Sequence, residues 1–513
     1  MPITSIGKIT LACFCGFLLS LSAPGYDLWL FAWFGLAPLF IIIYTSRKIK
    51  ECILYSFIFG FTYNISYLHW LVSLHPLSWL GFSNIKSWLI TILGLVSITV
   101  YSSLYFILFA VCLFFLNKTT PKTNTKSIAH LLLGAFIWLI IFNKLQENQF
   151  LLGFPWTLIE YSQYKNLFLI QIAEYCGSIS IGFLIVFFNL AIARCFIWIF
   201  NIEKIGNRFI PKSPGQLSDV IYSFSFIVIL IFCTVLVGFV LYGKNQPIFT
   251  NQSQTICILQ GNLPIKATRG AKLDIGLAKK TYEDLIDKNN ASLILAPEGA
   301  LPTIFNSDKN TQAWASSLVN KKQNSAIFGT YCGESNMIAN CAVSCLNKAS
   351  SGEFSFYKKE RLVPFGEYTP FSNMLPEFLK KLAFNVIGEG FTPGTENKLT
   401  KLPFGKVGIN ICFELIFPGI IRNTSLKGAD LLINLSDLSW FSNNFLKQQF
   451  LSFAIFRAIE NRKYFVIAAN NGISAFIEPT GKIQSQSIPN TQGVLLDWIN
   501  LLHKTTFYTR YGW

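Results

Sequence analysis

The chain has 513 residues, of which 52% are hydrophobic and only 13% are charged. A soluble protein of this size carries about 25% charged residues, so a wholly water-soluble globule is excluded. The formal net charge of +16 is scattered rather than gathered into a stripe, which argues against nucleic acid as a partner.

Apolar residues form long runs before Tyr242 and short runs split by polar turns beyond Lys244. That shift predicts a multi-span membrane domain over 1–243, a soluble domain over 244–500 large enough for its own core, and a tail over 501–513. Seven runs are long enough to cross a bilayer once tilt and loose ends are allowed: Ile9–Leu21, Leu28–Tyr44, Cys52–Leu74, Ser87–Leu116, Ser127–Phe142, Ser178–Phe200 and Val220–Tyr242. The first could be read as a signal peptide headed by Lys8. Against that, the second run follows at once and no small-residue cleavage site marks Ser22-Ala23-Pro24.

Basic residues in the short loops set the orientation. One alternating set carries Lys8, then Arg47, Lys48 and Lys50, then Lys118, Lys122 and Lys126, then Lys204, Arg208 and Lys212. The other carries only Lys86, Lys144 and Lys165, a bias of ten to three. This predicts a cytoplasmic N-terminus and a soluble domain outside. Charge divides into fourteen basic and seven acidic residues in the membrane half, and twenty-eight and nineteen beyond it. The +9 of the outer domain suits attraction to anionic lipid headgroups or ordinary solubilisation.

Of twelve cysteines, seven lie in or beside the spans (Cys13, Cys15, Cys52, Cys112, Cys176, Cys195, Cys233), where small apolar packing explains them. Five lie beyond: Cys257, Cys332, Cys341, Cys345 and Cys412. An odd number in an oxidising compartment leaves at least one thiol free. Cys341 and Cys345 share a strand about 13 Å apart and do not pair with each other. A zinc site is not expected, since His503 is the sole histidine of this half and no C-x-x-C occurs.

In the soluble domain the strand-like runs Thr255–Gln260, Ser292–Ala296, Ala326–Tyr331, Cys341–Leu346, Phe354–Lys358, Lys406–Cys412, Asp430–Leu435, Tyr464–Ala469 and Ser474–Glu478 are interleaved with helical patterns over Ala271–Lys288, Thr311–Lys322 and Asn444–Arg462. Asn470-Asn471-Gly472 signals a hairpin turn. The alternation predicts a layered α/β sandwich. Three strands end in a reactive group. Leu293-Ile294-Leu295-Ala296-Pro297 delivers Glu298, Phe356-Tyr357-Lys358 delivers Lys359, and Val407-Gly408-Ile409-Asn410-Ile411 delivers Cys412. A carboxylate, an amine and a thiol supply a base, an oxyanion stabiliser and a nucleophile for acyl transfer. Singly, each has a plain reading: a solvated turn carboxylate, a charged exposed edge and a core cysteine.

In order and context the three resemble the Glu-Lys-Cys triad of the nitrilase (carbon–nitrogen hydrolase) superfamily. The segments Gln260-Gly261-Asn262-Leu263-Pro264, Leu362-Val363-Pro364-Phe365-Gly366-Glu367, Ile411-Cys412-Phe413-Glu414, Ser439-Trp440-Phe441, Asn470-Asn471-Gly472-Ile473 and Gly153-Phe154-Pro155-Trp156, with the multi-span half, look like the apolipoprotein N-acyltransferase family over nearly the whole chain. The resemblance implies a seven-span bundle joined to an α-β-β-α nitrilase-like sandwich. It implies Glu298 as general base, Lys359 as oxyanion lysine, Cys412 as nucleophile, Glu367 and Glu414 as supporting carboxylates and Trp440 on a mobile loop, with Phe413 where the family often has tyrosine. The loop Ser436-Asp437-Leu438-Ser439-Trp440-Phe441 departs from the family's usual Ser-Asn-Asp-x-Trp-Phe, and a tryptophan often found after the first segment is missing near Arg269. The family also commonly closes with one more span, which is either absent beyond Trp513 or lies outside this sequence.

The same resemblance implies a multi-pass protein of a bacterial inner membrane, a monomer using neither metal nor cofactor. Its donor would be a phospholipid and its acceptor the diacylglyceryl-cysteine amine of an apolipoprotein. Leu375, Phe378, Leu379 and Leu382 fall at helical spacing within Phe371–Phe384 and suit a membrane-dipping lid or an ordinary packed surface helix. Two rival readings stand beside this one. A membrane-tethered amidase acting on a small amide would need no seven-span bundle. A transporter or sensor with a dead outer domain would need ionisable residues paired across spans, whereas only Glu174 and Arg194 lie near them.

Overall fold

The structure, a computed structural model, describes residues 5–119, 126–200, 204–205, 208–209, 214–250, 252–268, 274–286, 291–334, 337–346, 354–372, 376–377, 380, 390–396 and 398–512. Two compact units emerge. The first comprises Met1–Val72, Leu89–Ala173 and Ser178–Tyr242; the second comprises Gly243–Trp513 together with Ser73–Trp88 and Glu174–Gly177.

Helices dominate the first unit because an uninterrupted apolar run satisfies its backbone polar groups only within the helix when water is absent. Segments Asn84–Lys118, Ile128–Leu145, Ile179–Ile199 and Val220–Lys244 are each long and apolar enough to cross a membrane. Ile6–Ser20, Phe31–Thr45 and Leu167–Cys176 are shorter apolar helical stretches, and Ile49–Tyr67 is a further helix. One buried polar side chain organises a break in this packing. Asn189 Oδ1 accepts the Leu36 and Ala37 N–H groups at 3.0 and 2.9 Å, and its Nδ2 donates to the Ala32 carbonyl at 2.9 Å. The amide thus satisfies backbone groups left orphaned between the helices Phe31–Phe34 and Ala37–Thr45.

The second unit is built on two β-sheets. In the first, the strand order is Gly493–Ile499, Gln254–Gln260, Leu293–Leu295, Ser325–Glu334, Met337–Cys345, Phe354–Lys358, with the short strand Leu301–Ile304 also beside Ser325–Glu334. In the second it is Ile483–Gln486, Ala475–Ile477, Phe465–Ala469, Leu431–Ser436, Gly405–Ile411, Thr400–Leu402. Alternation places one face of each strand inward. Ile256, Ile258, Leu293 and Leu295 from the first sheet meet Val407, Ile409, Leu431 and Ile433 from the second in one buried core. The alternate residues Cys257, Leu259 and Ile294 turn outward beneath Ala278, Tyr282, Ala315 and Val319 of the helices Ile275–Ile286 and Lys309–Lys322. Helices Pro418–Leu426 and Asn444–Asn461 pack on the second sheet. The architecture is therefore the α-β-β-α sandwich.

Asp308 starts the Lys309–Lys322 helix by accepting the Thr311 N–H at 3.0 Å, which sets the helix start before the Thr311 expected from the pattern. The lid reading over Phe371–Phe384 lies mostly outside the described residues, as do Arg269 and the two ends of Ala271–Lys288.

Candidate active site

Parallel pairing decides which strand ends converge. Gln254–Gln260, Leu293–Leu295 and Ser325–Glu334 run parallel to one another, and so do Gly405–Ile411, Leu431–Ser436 and Phe465–Ala469. The chain after each of these strands therefore emerges at one end of its sheet. Glu298 follows Leu293–Leu295, and the turn carrying it presses so closely on the next strand that a Cβ at Gly329 would lie 2.2 Å from the Pro297 carbonyl and 2.5 Å from Glu298 Cα. Only glycine fits there.

Lys359 stands one residue past Phe354–Lys358 and is fully buried, whereas its neighbour Lys358 is exposed. Lys359 Nζ lies 2.9 Å from Glu367 Oε1 and 3.3 Å from Glu298 Oε1. Both carboxylates are themselves about 1% exposed. An ammonium between two carboxylates is the arrangement that keeps buried charge of either sign from standing alone.

Asn340, which pattern reading alone does not single out, completes this cluster. Its Nδ2 donates to Glu298 Oε1 at 2.6 Å and to Glu367 Oε1 at 2.9 Å, and its carbonyl accepts the Lys359 N–H at 2.9 Å. The available signal was a lone amide in an otherwise small and apolar strand, Ile338-Ala339-Asn340-Cys341-Ala342. Glu298 Oε2 accepts the Asp437 backbone N–H at 2.9 Å. Glu367 Oε2 accepts the Val363 N–H at 2.9 Å, which folds the Val363–Glu367 turn back on itself.

Cys412 ends Gly405–Ile411 and takes φ +49°. A non-glycine residue in the left-handed region is a local cost that the surrounding bonds must hold. Two sets of bonds do so. Asn434 Nδ2 donates to the Cys412 carbonyl at 3.2 Å and to Asn410 Oδ1 at 2.5 Å; the two asparagines sit directly opposite in the parallel register. On the other side, Glu414 Oε2 accepts the Ile411 N–H at 2.6 Å and the Tyr357 hydroxyl at 2.9 Å, while Oε1 accepts the Glu360 and Arg361 N–H groups at 2.6 and 3.1 Å. Glu414 thus ties the Cys412 strand end to the Lys359 segment. Burial pushes its carboxyl up to about 7 against those donated bonds.

Phe413 is buried and packs edge-on against Phe417 at 5.3 Å. Trp440 is half-buried, edge-to-face with Trp79 at 5.0 Å. The unusual loop around it is well bonded: Asp437 Oδ1 accepts the Ser439 N–H at 3.0 Å and Asn470 Nδ2 at 3.2 Å. Asn470 also exchanges two hydrogen bonds of 2.8 Å with the Leu263 backbone.

Among the five cysteines beyond Lys244, Cys332 and Cys341 form a disulfide. Cys257 and Cys345 are buried, and burial pushes both thiols up to about 12. Cys412 alone of the five is both unbridged and partly exposed. Among the described residues no group of three or more His, Cys, Asp or Glu side chains is placed to hold a metal ion.

The chain carries a carbon–nitrogen hydrolase domain: residues 265–502, which lie within the two-sheet sandwich, match the family Carbon-nitrogen hydrolase. Residues 15–191 match the Apolipoprotein N-acyltransferase N-terminal domain. The apolipoprotein N-acyltransferase of Nostoc sp. is 27% identical over 96% of this chain and 94% of its own length. That of Prochlorococcus marinus subsp. pastoris is 29% identical over 94% and 89%. A solved CN-hydrolase superfamily protein from Xanthomonas campestris aligns at 17% identity with a TM-score of 0.38, covering 48% of this chain and 91% of that one. The chain belongs to the apolipoprotein N-acyltransferase family, and it is an acyltransferase.

Proposed function

We propose that this enzyme moves an acyl chain from a phospholipid to the N-terminal α-amine of the diacylglyceryl-cysteine of apolipoproteins, through a thioester on Cys412. The observation that carries the reading is the buried Lys359 held 2.9 and 3.3 Å from Glu367 and Glu298, together with a strand that ends in the one unbridged, partly exposed thiol of the five beyond Lys244.

Glu298 takes the thiol proton and the Cys412 sulfur attacks the ester carbonyl. The charge that develops on the carbonyl oxygen is met by Lys359 and the backbone N–H near Phe413. The C–O bond breaks, the lysophospholipid alkoxide recovers the proton, and a thioester remains. The acceptor amine then attacks the thioester carbon, a C–N bond forms, the C–S bond breaks, and the amine's proton passes by way of Glu298 to the sulfur. This is ping-pong acyl transfer. Glu367 and Asn340 hold Lys359 and Glu298 in register; Glu414 holds the nucleophile's strand end; Trp440 belongs to the loop over the site. Neither metal nor cofactor enters any step.

In this reading residues 1–243 cross the inner membrane seven times, residues 244–500 form the catalytic domain on the periplasmic side, 501–513 are a tail, and the protein acts as a monomer. Four long apolar helices and the ten-to-three loop charge bias support that placement. So does the Cys332–Cys341 disulfide, a bond that persists in oxidising compartments. Mass spectrometry of a lipoprotein N-terminus, in cells with and without this protein, tests the function. An N-acyl-cysteine in its presence and a free amine in its absence are expected; a free amine in both refutes it. Reporter fusions after Leu116 and after Tyr242 test the topology, and reports from the same side refute it.

A further inference from the structure

The first unit contains an elongated cleft of about 720 Å³, within the range of ligand-binding cavities. Its wall includes Val228, Ile231, Val235 and Tyr242 of one helix. Val228 and Tyr242 lie fourteen positions apart, about 21 Å along the axis at 1.5 Å per residue. That exceeds the depth of one leaflet's hydrocarbon, about 15 Å or half of the ~30 Å core.

The two ends differ in chemistry. Near Val228 the lining is aromatic and aliphatic: Phe188 packs on Trp33 and Phe34 at 5.5 and 6.0 Å and on Phe224 at 5.9 Å. Near Tyr242 the lining carries Lys165 and Asn166. Phe168, three residues past Lys165, contacts Tyr242 at 5.3 Å. Gln163 Nε2 donates to the Trp29 carbonyl at 3.1 Å at this same end. A Cβ at Gly238 would lie 1.7 Å from the Phe168 carbonyl, so glycine at 238 is what lets the Lys165 segment seal against the helix. Lys165 remains 57% exposed although it pairs with Asp27 at 2.7 Å.

We propose that this cleft binds one acyl chain of a glycerophospholipid, its methyl end beside Val228 and Phe188 and its phosphate against Lys165. The length, the single polar end and the exposed cation there select an amphiphile with an anionic head rather than a wholly apolar ligand. The proposal rests on the membrane placement given above for this unit, not on the thioester chemistry.

The test uses the full-length chain carrying Cys412→Ala, reconstituted in vesicles, so that no transfer consumes the probe. Two photoactivatable phosphatidylethanolamines are compared, one with a diazirine at the chain terminus and one near the glycerol. Peptide mapping should place the terminal probe on the segment around Val228 and Phe188, and the proximal probe on the segments around Phe168 and Tyr242. Val235→Trp, which fills the cleft from a half-buried position, should abolish both labels. Val237→Trp, on the exposed opposite face of the same helix, should leave them unchanged. Lys165→Ala should reduce labelling at limiting lipid about fivefold, while a diacylglycerol probe without phosphate should be indifferent to it. Labelling spread evenly around the helix, as annular lipid gives, overturns the proposal. So does labelling that survives Val235→Trp or ignores the phosphate. If wild type forms no thioester, the acyl-transfer reading fails while this labelling pattern still stands.

Discussion

Replacing Lys359 separates a chemical role from a structural one. Its ammonium is fully buried and lies 2.9 Å from Glu367 and 3.3 Å from Glu298, both also buried. Lys359→Met keeps the aliphatic stem and removes the charge. Two facing carboxylates are then left with the Asn340 amide as their shared donor, and breaking a buried pair in this way costs about 3–5 kcal/mol. The rate should fall independently, by about 10²–10³ for the loss of one oxyanion donor. Thermal unfolding in detergent reads the first effect; intact-mass detection of the acyl-enzyme after incubation with phospholipid reads the second. A second substitution distinguishes them. Adding Glu367→Gln to Lys359→Met removes one stranded carboxylate and should restore much of the stability, yet leave thioester formation as slow as in the single variant. Lys359→Arg should not rescue the rate, because a planar fork does not occupy the place of a compact ammonium. Lys358→Ala, altering an exposed neighbour, should be near neutral. A normal rate of thioester formation in Lys359→Met, or loss of it in Lys358→Ala, refutes the assignment.

Three further outcomes are expected. Cys412→Ala should carry no acyl adduct after exposure to phospholipid, and Cys412→Ser should form none at a useful rate because a hydroxyl is far less acidic than a thiol; an adduct retained on Cys412→Ala would place the nucleophile elsewhere. Asn340→Ala should slow thioester formation about tenfold or more by freeing Glu298 and Glu367 from their shared donor, and Asn340→Gln should not restore it; an unchanged rate would reduce Asn340 to packing. Glu414, raised by burial to about 7, contributes stability that is fully present below the ordinary carboxylate pKa near 4.5 and is lost as pH rises through 7, by about 3 kcal/mol. Glu414→Gln should flatten that slope in unfolding measurements between pH 5 and 8, and an unaltered slope would assign the effect to another group.

The sequence by itself determines where the chain changes character, because the long apolar runs before Tyr242 and the short alternating runs after Lys244 obey different periodicities. It also determines the placement of Glu298, Lys359 and Cys412 at strand ends, because strand and turn signals are local and the three motifs are short. Neighbours on an extended segment face opposite ways, so Lys358 and Lys359 cannot both turn inward, but only the resemblance to the family's triad points to Lys359. What the tertiary structure alone decides is everything that depends on pairing between distant segments. Asn340 joins Glu298 to Glu367 only because Met337–Cys345 lies between the strands that deliver the carboxylate and the lysine. Asn434 reaches the Cys412 carbonyl only because parallel register sets it opposite Asn410. Glu414, three residues from the backbone N–H it caps, also takes two from the Lys359 segment. Cys332 meets Cys341 through the antiparallel pairing of their strands. Apart from the disulfide, whose cysteines are nine residues apart, these contacts join side chains to partners tens of residues away, and a buried asparagine has the same local signature whether it bonds a carboxylate, a carbonyl or nothing.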